Sequence, residues 1–379
     1  MSSAVFALSI HADYRCRHSG ACCTADWDVP VELPVYTSLA DAVARGRLKV
    51  APAAAPLAPF IVEPDLPDDA GAVIERTERG DCVFFERGSH LCVVHRDLGE
   101  AALPATCRHF PRVAVRDSRG TFITLSHFCP TAASLLFRGD VGTHIVERPS
   151  AFPPADYEGL VVNGDDLPPM LAPRMLMDDE GYSAWERHMV TRCATAQQSP
   201  ESVVATLARD ARELRTWKPG GRTLAATVRS LPLGYVEAAA PGTLAESRVR
   251  HREVMQAVPD DLRPVADESG LEDSYDACVR AVWASFTVPL NRYLAAKAFA
   301  SWTAYQGRGI ATIVRSLEVA LALVRVEASR QCRDARRDLD RELLLEAIRS
   351  ADFALNHLAV GEDLAEAWSR VEATESTDV

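Results

Sequence analysis

The chain has 379 residues, 25% of them charged, with a formal net charge of -12. Length alone suggests two or three domains of about 100 to 200 residues each. The acidic balance argues against nucleic acid or an anionic membrane surface as a partner, because either would need a clustered basic face.

The first residues, MSSAVFALSIHADYRC, hold a brief apolar run with no basic stretch before it and no small-residue cleavage pattern after it, so a cytoplasmic protein is expected. The most apolar later stretch, 309–328, is interrupted by Arg315, Glu318 and Arg325, and no membrane span is expected there. Ten cysteines in a reducing compartment point to metal ligands or redox groups rather than disulfides. Seven fall in the first 129 residues, whereas Cys193, Cys278 and Cys332 are scattered through helical-looking sequence and read as small core residues.

Residues 14–31 begin with a glycine-containing knuckle carrying Cys16, Cys22 and Cys23, and turn extended from Trp27 to Val31. After Pro34, Leu39, Ala40 and Val43 sit at helical spacing with Ser38 as the expected cap. Residues 50–70 are rich in proline and alanine and are expected to form a surface loop. AVIERTE then reads as a strand leading to Cys82, and CVFFERGSHLCVV as a hairpin turning at Arg87 to Ser89, which brings Cys82 and Cys92 near each other. HRDLGEAAL reads as a short helix stopped by Pro104, with Cys107 in the loop beyond it. Two strands, VAV and TFITL, follow around a DSRG turn. Cys129 precedes Pro130 at the expected start of a helix, where a thiolate is favoured.

Residues 138–172, with several prolines and Gly-Asp turns, are read as the connection between lobes. Beyond it the period is helical: 199–217 with Ser199 as cap and Pro200 at the first position, then 274–286 and 291–305 broken near Pro289. A mostly buried helix over 309–332 has Ile313, Leu317, Ala320 and Val324 in register. Helices over 341–358 and 362–373 complete about six on that period, and the last residues are expected to fray. The fold class expected is α+β, mainly α: a turn-rich cysteine-cluster lobe with short strands over 1–137, the connection over 138–172, and a helical domain over 173–379.

The candidate metal ligands are Cys16, Cys22, Cys23, Cys82, Cys92, Cys107 and Cys129. Thiolates from separate loops can surround a zinc ion or an iron–sulfur cluster, and seven exceed the four that either needs. Cys22 and Cys23 are adjacent, so their side chains are expected to diverge. His18, His95, His109 and His127 lie close in sequence to cysteines, His109 sharing a loop with Cys107. Arg108, Arg112, Arg116 and Arg119 face only Asp117 in the same block, a local positive charge that would stabilise thiolates if it is not a solvated loop. No dinucleotide fingerprint, P-loop, nucleophile elbow or H-E-x-x-H motif is present.

The loop CRHSGACC resembles the C-x-x-C-G-x-C-C knuckle of YkgJ-type cysteine-cluster proteins, with Ser19 in place of the second cysteine. The block CVFFERGSHLCVVHRDLGEAALPATCRHFPR, followed by TLSHFCPTAASLL, is similar to the flagellin lysine-N-methylase family, which has cysteines at the positions of Cys82, Cys92, Cys107 and Cys129. The resemblance extends to NRYLAAKAFASW, EVALALVRVEA and LLEAIRSADFALNHL, including a terminal position like His357. It implies a 4Fe–4S protein that methylates lysine side chains of a protein substrate from S-adenosylmethionine. The reading from the residues alone leaves zinc as the alternative cofactor. It also leaves, as the alternative function, a non-catalytic metal-binding or redox-sensing protein whose helical lobe binds a partner.

Overall fold

The computed structural model describes residues 4–50, 59–62, 66, 69–155, 157, 159–162, 168–237, 242–265 and 267–375. It is a mixed α+β structure, 49% helix and 13% strand, with sheets toward the N-terminus and helices toward the C-terminus. Two compact units divide it. The cysteine unit comprises residues 15–113 with 129–131, and the helical unit comprises 1–14, 114–128 and 132–379.

This division differs from a boundary after residue 137, and strand pairing is the reason. In the helical unit Val5–Leu8 runs parallel to Gly120–Leu125 and antiparallel to Ile145–Glu147. The five-stranded sheet has the order Gly159–Val161, Arg112–Asp117, Gly120–Leu125, Val5–Leu8, Ile145–Glu147. Residues 4–14 therefore belong with the helices rather than with the cysteine lobe. The stretch 138–172, expected as a connection, supplies both outer strands of this sheet and begins the small hairpin Met170–Ala172 with Met175–Leu176. Every residue of Gly120–Leu125 is buried, as a strand covered on both faces requires. Gly120 has φ +148, and a Cβ there would lie 2.6 Å from the Ala4 carbonyl oxygen, so only glycine fits.

The helices follow their local signals. Ser199 accepts from the Ser202 N–H at 3.1 Å and Pro200 starts Pro200–Leu214. Thr243 and Glu246 form a reciprocal capping box on Leu244–Gln256. Ile310–Ala335, of 26 residues, packs against Pro200–Leu214, Leu244–Gln256 and Arg341–Phe353. Part of its expected polar stripe is internal: Arg325 is 4% exposed and donates to Glu201 at 2.6 Å and Ser247 at 2.8 Å. The break near Pro289 falls before it, in a π turn at Tyr275–Val279 and a 3-10 turn at Trp283–Phe286. Pro289 itself sits in the first turn of Thr287–Ala298, where no N–H is needed. Among the described residues no helix is long and apolar enough to cross a membrane.

In the cysteine unit Ala70–Ile74 is the middle of a three-stranded antiparallel sheet, flanked by Pro30–Glu32 and Phe60–Ile61. The helix Leu33–Ala44 starts earlier than a Ser38 cap would give, because Pro34 fits its first turn and Glu32 takes the cap position. Val31, Leu39, Ala42, Ile74 and Phe84 form the core between helix and sheet. Most of the loop expected over 50–70 lies outside the described residues, as do the last four expected to fray.

Candidate metal centre

The hairpin that carries Cys92 pairs Phe85 with Cys92 and Glu86 with Leu91, and Cys82 lies before it, bridged to Arg76. Its Cys92 end runs directly into the helix Val93–Leu98, which Gly99 ends with φ 88. Cys107, expected in a loop, lies in the short helix Ala105–His109, since Pro104 starts a turn there as well as ending the segment before it. Cys22 and Cys23 sit in the 3-10 turn Ala21–Cys23, entered through Gly20 at φ 76. The Cys82 N–H donates to the Cys23 carbonyl at 2.7 Å, which ties the knuckle to the start of the hairpin.

The expectation that Cys22 and Cys23 diverge is not met: their Sγ atoms are 4.0 Å apart, because the tight turn folds both to one side. Both line a small cavity with Cys82, Asp26, Arg76 and Gly80. Interaction with the Cys22 and Cys92 thiols drives Cys23 far above its ordinary range, and burial adds to the effect. The contact with Cys23 lowers Cys22. Interaction with Cys23 likewise lowers Cys92 to about 7, with help from the backbone N–H groups of His95 and Val94. Burial raises Cys82 to about 12, with Arg76 opposing. Burial also pushes Cys107 well up, and the charges of Cys82, Cys22, Cys92 and Glu32 add to it.

Five thiols from three stretches of chain thus influence one another directly, and burying them as five anions is strongly unfavourable. Two further candidates share the unit. Cys16 is exposed and accepts from the His18 N–H at 3.3 Å, while Cys129 is buried and reaches this unit from a separate three-residue stretch. As they stand, no group of three or more His, Cys, Asp or Glu side chains among the described residues could hold a metal ion. The chemistry of the donor set nevertheless suits a soft or borderline cation, which would replace thiol protons and relieve thiolate repulsion. No disulfide links cysteines among the described residues. Cys193 and Cys332 are fully packed in the helical unit, as core thiols should be.

The nearby histidines separate. His18 stacks on His95 with ring centroids 5.1 Å apart, His109 ends the Cys107 helix, and His127 belongs to the helical unit. Of the basic block, Arg119 turns to carboxylates of its own unit, Asp117 at 2.8 Å and Glu186 at 3.0 Å. Arg76 and Arg96 are the cations whose charge lowers thiols, at Cys82 and Cys92 respectively.

Sequence reasoning missed a second polar cluster, inside the helical unit. The fully buried Asp352 carboxylate accepts from the His127 N–H at 2.6 Å, Lys297 Nζ at 3.0 Å, Tyr293 OH at 3.1 Å and Ser126 Oγ at 3.2 Å. His357, set by the π turn Ala354–Leu358, meets Ser126 Oγ at 2.8 Å. Burial lowers His127 and His357 to about 4 each. The cluster draws on three distant stretches of sequence, 126–127, 293–297 and 352–357, and no local pattern marks their convergence.

No family model, curated protein or solved structure matches the chain. The functional reading therefore rests on the site itself and on the resemblance of its cysteine blocks.

Proposed function

We propose that the protein is a thiolate metal-centre protein, with Cys22, Cys23, Cys82, Cys92 and Cys107 as the principal donors and Cys16 and Cys129 as further candidates. The observation that carries this reading is the convergence of Cys22, Cys23 and Cys82 on one small cavity, with the Cys22 and Cys23 Sγ atoms 4.0 Å apart and the Cys82 N–H bonded to the Cys23 carbonyl at 2.7 Å. An iron–sulfur cluster of the 4Fe–4S type is the group proposed; when bound it supplies redox chemistry whose potential depends on charge and hydrogen bonds around the sulfurs. The residues of this chain would supply the thiolates, the backbone N–H groups of Val94 and His95 at Cys92, and the positive charges of Arg76 and Arg96. Methyl transfer from S-adenosylmethionine to protein lysines is the activity to which the sequence resemblance points.

A single zinc ion is the second reading, and one distance favours it. Thiolates on a tetrahedral zinc with Zn–S of about 2.3 Å stand about 3.8 Å apart, close to the 4.0 Å between Cys22 and Cys23.

Anaerobic purification with metal analysis and an absorption spectrum distinguishes the two. A brown protein with iron and sulfide supports the cluster; a colourless one with stoichiometric zinc removes it in favour of zinc; a protein that takes up neither removes the centre. Cys107→Ser should lose metal and Cys278→Ser should retain it, and equal metal content in both would overturn the ligand assignment. Calorimetric titration with S-adenosylmethionine tests the activity, and no binding at millimolar ligand would leave it without support.

A further inference from the structure

We propose that Cys22 and Cys23 are a peroxide-responsive dithiol that closes reversibly to a disulfide between neighbouring residues. The chemistry needs only the two thiols; its consequence for metal binding rests on the thiolate-centre reading above. The two Sγ atoms lie 4.0 Å apart, and both residues line the small cavity that Cys82 and Arg76 also line. Both are partly exposed, so a small oxidant can reach them.

The turn that holds the pair is fixed on both sides. Gly20 enters it at φ 76, and a Cβ there would lie 2.6 Å from the Phe85 ring. The Cys23 N–H donates to the Gly20 carbonyl at 2.9 Å, and the Thr24 hydroxyl donates to the same oxygen at 3.3 Å. Beyond the pair, the Cys82 N–H holds the Cys23 carbonyl at 2.7 Å. The sulfurs have about 2 Å to travel before they reach the bonded length of about 2.03 to 2.05 Å. Neighbouring Cα atoms stand about 3.8 Å apart across a trans peptide, inside the usual disulfide span of about 4.4 to 6.8 Å, so the closed ring is strained. Strained disulfides are readily reduced, which makes the closure reversible.

In the reaction one sulfur, as thiolate, attacks an oxygen of hydrogen peroxide. The S–O bond forms, the O–O bond breaks, and the departing hydroxide takes up a proton and leaves as water. The sulfenic acid so formed stands beside the thiol that resolves it. That neighbour, as thiolate, attacks the oxidised sulfur; the S–S bond forms, the S–O bond breaks, and the released hydroxide becomes a second water. Two thiols and one peroxide thus give one disulfide and two waters, the sulfurs losing the two electrons that the peroxide gains. Two of the proposed metal donors are withdrawn until a dithiol reductant reopens the pair.

The sequence makes the product easy to read. Trypsin cleaves after Arg17 and Arg45, and in the peptide 18–45 Cys22 and Cys23 are the only cysteines. The full chain, reduced and freed of metal, is treated with one equivalent of hydrogen peroxide, alkylated with iodoacetamide, digested and weighed by mass spectrometry. Peptide 18–45 is expected two hydrogens lighter and unalkylated, and doubly alkylated again after dithiothreitol. The same treatment in urea should scatter disulfides among the ten cysteines. A peptide that stays doubly alkylated, that is linked to the peptide of Cys82 or Cys92, or that behaves alike in the folded chain and in urea overturns the proposal. Zinc added beforehand should prevent closure. Closure at the same rate with and without zinc would overturn the link to the metal centre and take Cys22 and Cys23 out of its donor set, an outcome distinct from a pair that does not close at all.

Discussion

Replacing Asp352 by asparagine is the sharpest probe of the helical unit. The carboxylate is 0% exposed and its four donors include one cation, Lys297, whose own side chain is 18% exposed. Burial alone would raise this carboxyl, yet Lys297, His127 and the Lys297 hydrogen bond outweigh burial and hold it well below the ordinary range. Asparagine keeps an acceptor on one side only. On the other it turns an N–H₂ toward either the Ser126 and His127 donors or the Lys297 and Tyr293 donors. Removing one partner of a buried ion pair costs about 3 to 5 kcal/mol. Lys297 keeps Asn356 Oδ1 at 3.0 Å, which places the expected loss at the lower end, about 3 kcal/mol. Urea denaturation followed by circular dichroism should show a lower midpoint at unchanged slope, with Tm down by about 6 to 10 °C. Replacing Lys297 by methionine together with Asp352 by leucine should recover part of the loss, because both charges then leave the interior. A loss below about 1 kcal/mol for the asparagine variant would refute the view that this carboxylate is charged and organises its donors.

Acid should destabilise the fold well above the usual carboxylate range. Burial holds His127, His251 and His357 to about 4, whereas an unfolded histidine takes up its proton near 6.5. The unfolded state therefore binds more protons between those values, and stability falls as pH drops from about 7 to 4. For His127, which is 0% exposed, the loss amounts to about 3 kcal/mol. Asp352, whose folded pKa is depressed, adds a loss of the same sign once pH falls below about 3.9. Denaturation midpoints that stay level between pH 7 and pH 4.5 would contradict this. In the cysteine unit, Gly20→Ala should be far more costly than Gly46→Ala. Both glycines have positive φ, which alone costs about 1 to 2 kcal/mol for alanine. Only the first would drive a Cβ to 2.6 Å from the Phe85 ring, while the second meets nothing within 4 Å. Equal thermal shifts for the two would show that Phe85 does not hold the cysteine turn.

What could be read from the residues was mostly what neighbours in sequence decide. The Ser199 cap with Pro200, the apolar period of 310–335 and the turn before Gly120 are local chemistry, and each has the expected element. Cys82 and Cys92 are joined by a hairpin whose length and turn residues announce it. Pairings at long range left no trace. Nothing near Val5 says that it lies beside Thr121, and only that pairing joins the first strand to the helical unit. Nothing near Glu32 says that its carboxylate reaches Ala105, 73 residues on. Asp352 looks like any acidic residue on an amphipathic helix until Ser126, Tyr293 and Lys297 converge on it. Adjacent cysteines misled for a related reason: the rule that neighbouring side chains diverge holds for extended chain, and the 3-10 turn at Ala21–Cys23 breaks it.

The two units differ in how much apolar packing supports them, and this bears on what a metal would do. The helical unit buries Trp185, Tyr293, Phe299, Leu317, Leu344 and Trp368 in one continuous cluster. The cysteine unit has a much smaller cluster around Val31, Leu39, Ile74 and Phe84, with strands of two to five residues. A unit with so little core usually gains its stability from crosslinks, and here the available crosslinks are thiols. Metal binding at Cys22, Cys23, Cys82 and Cys107 would close the long loop between the knuckle and the hairpin. The entropy of such closure rises only slowly with loop length, so a long excursion costs little more than a short one. Under the proposal, ligand binding and folding of this unit are one equilibrium. The thiol contact between Cys22 and Cys23 then belongs to the proton-loaded form, in which burial favours the protonated state of Cys82 and Cys107 as well as Cys23.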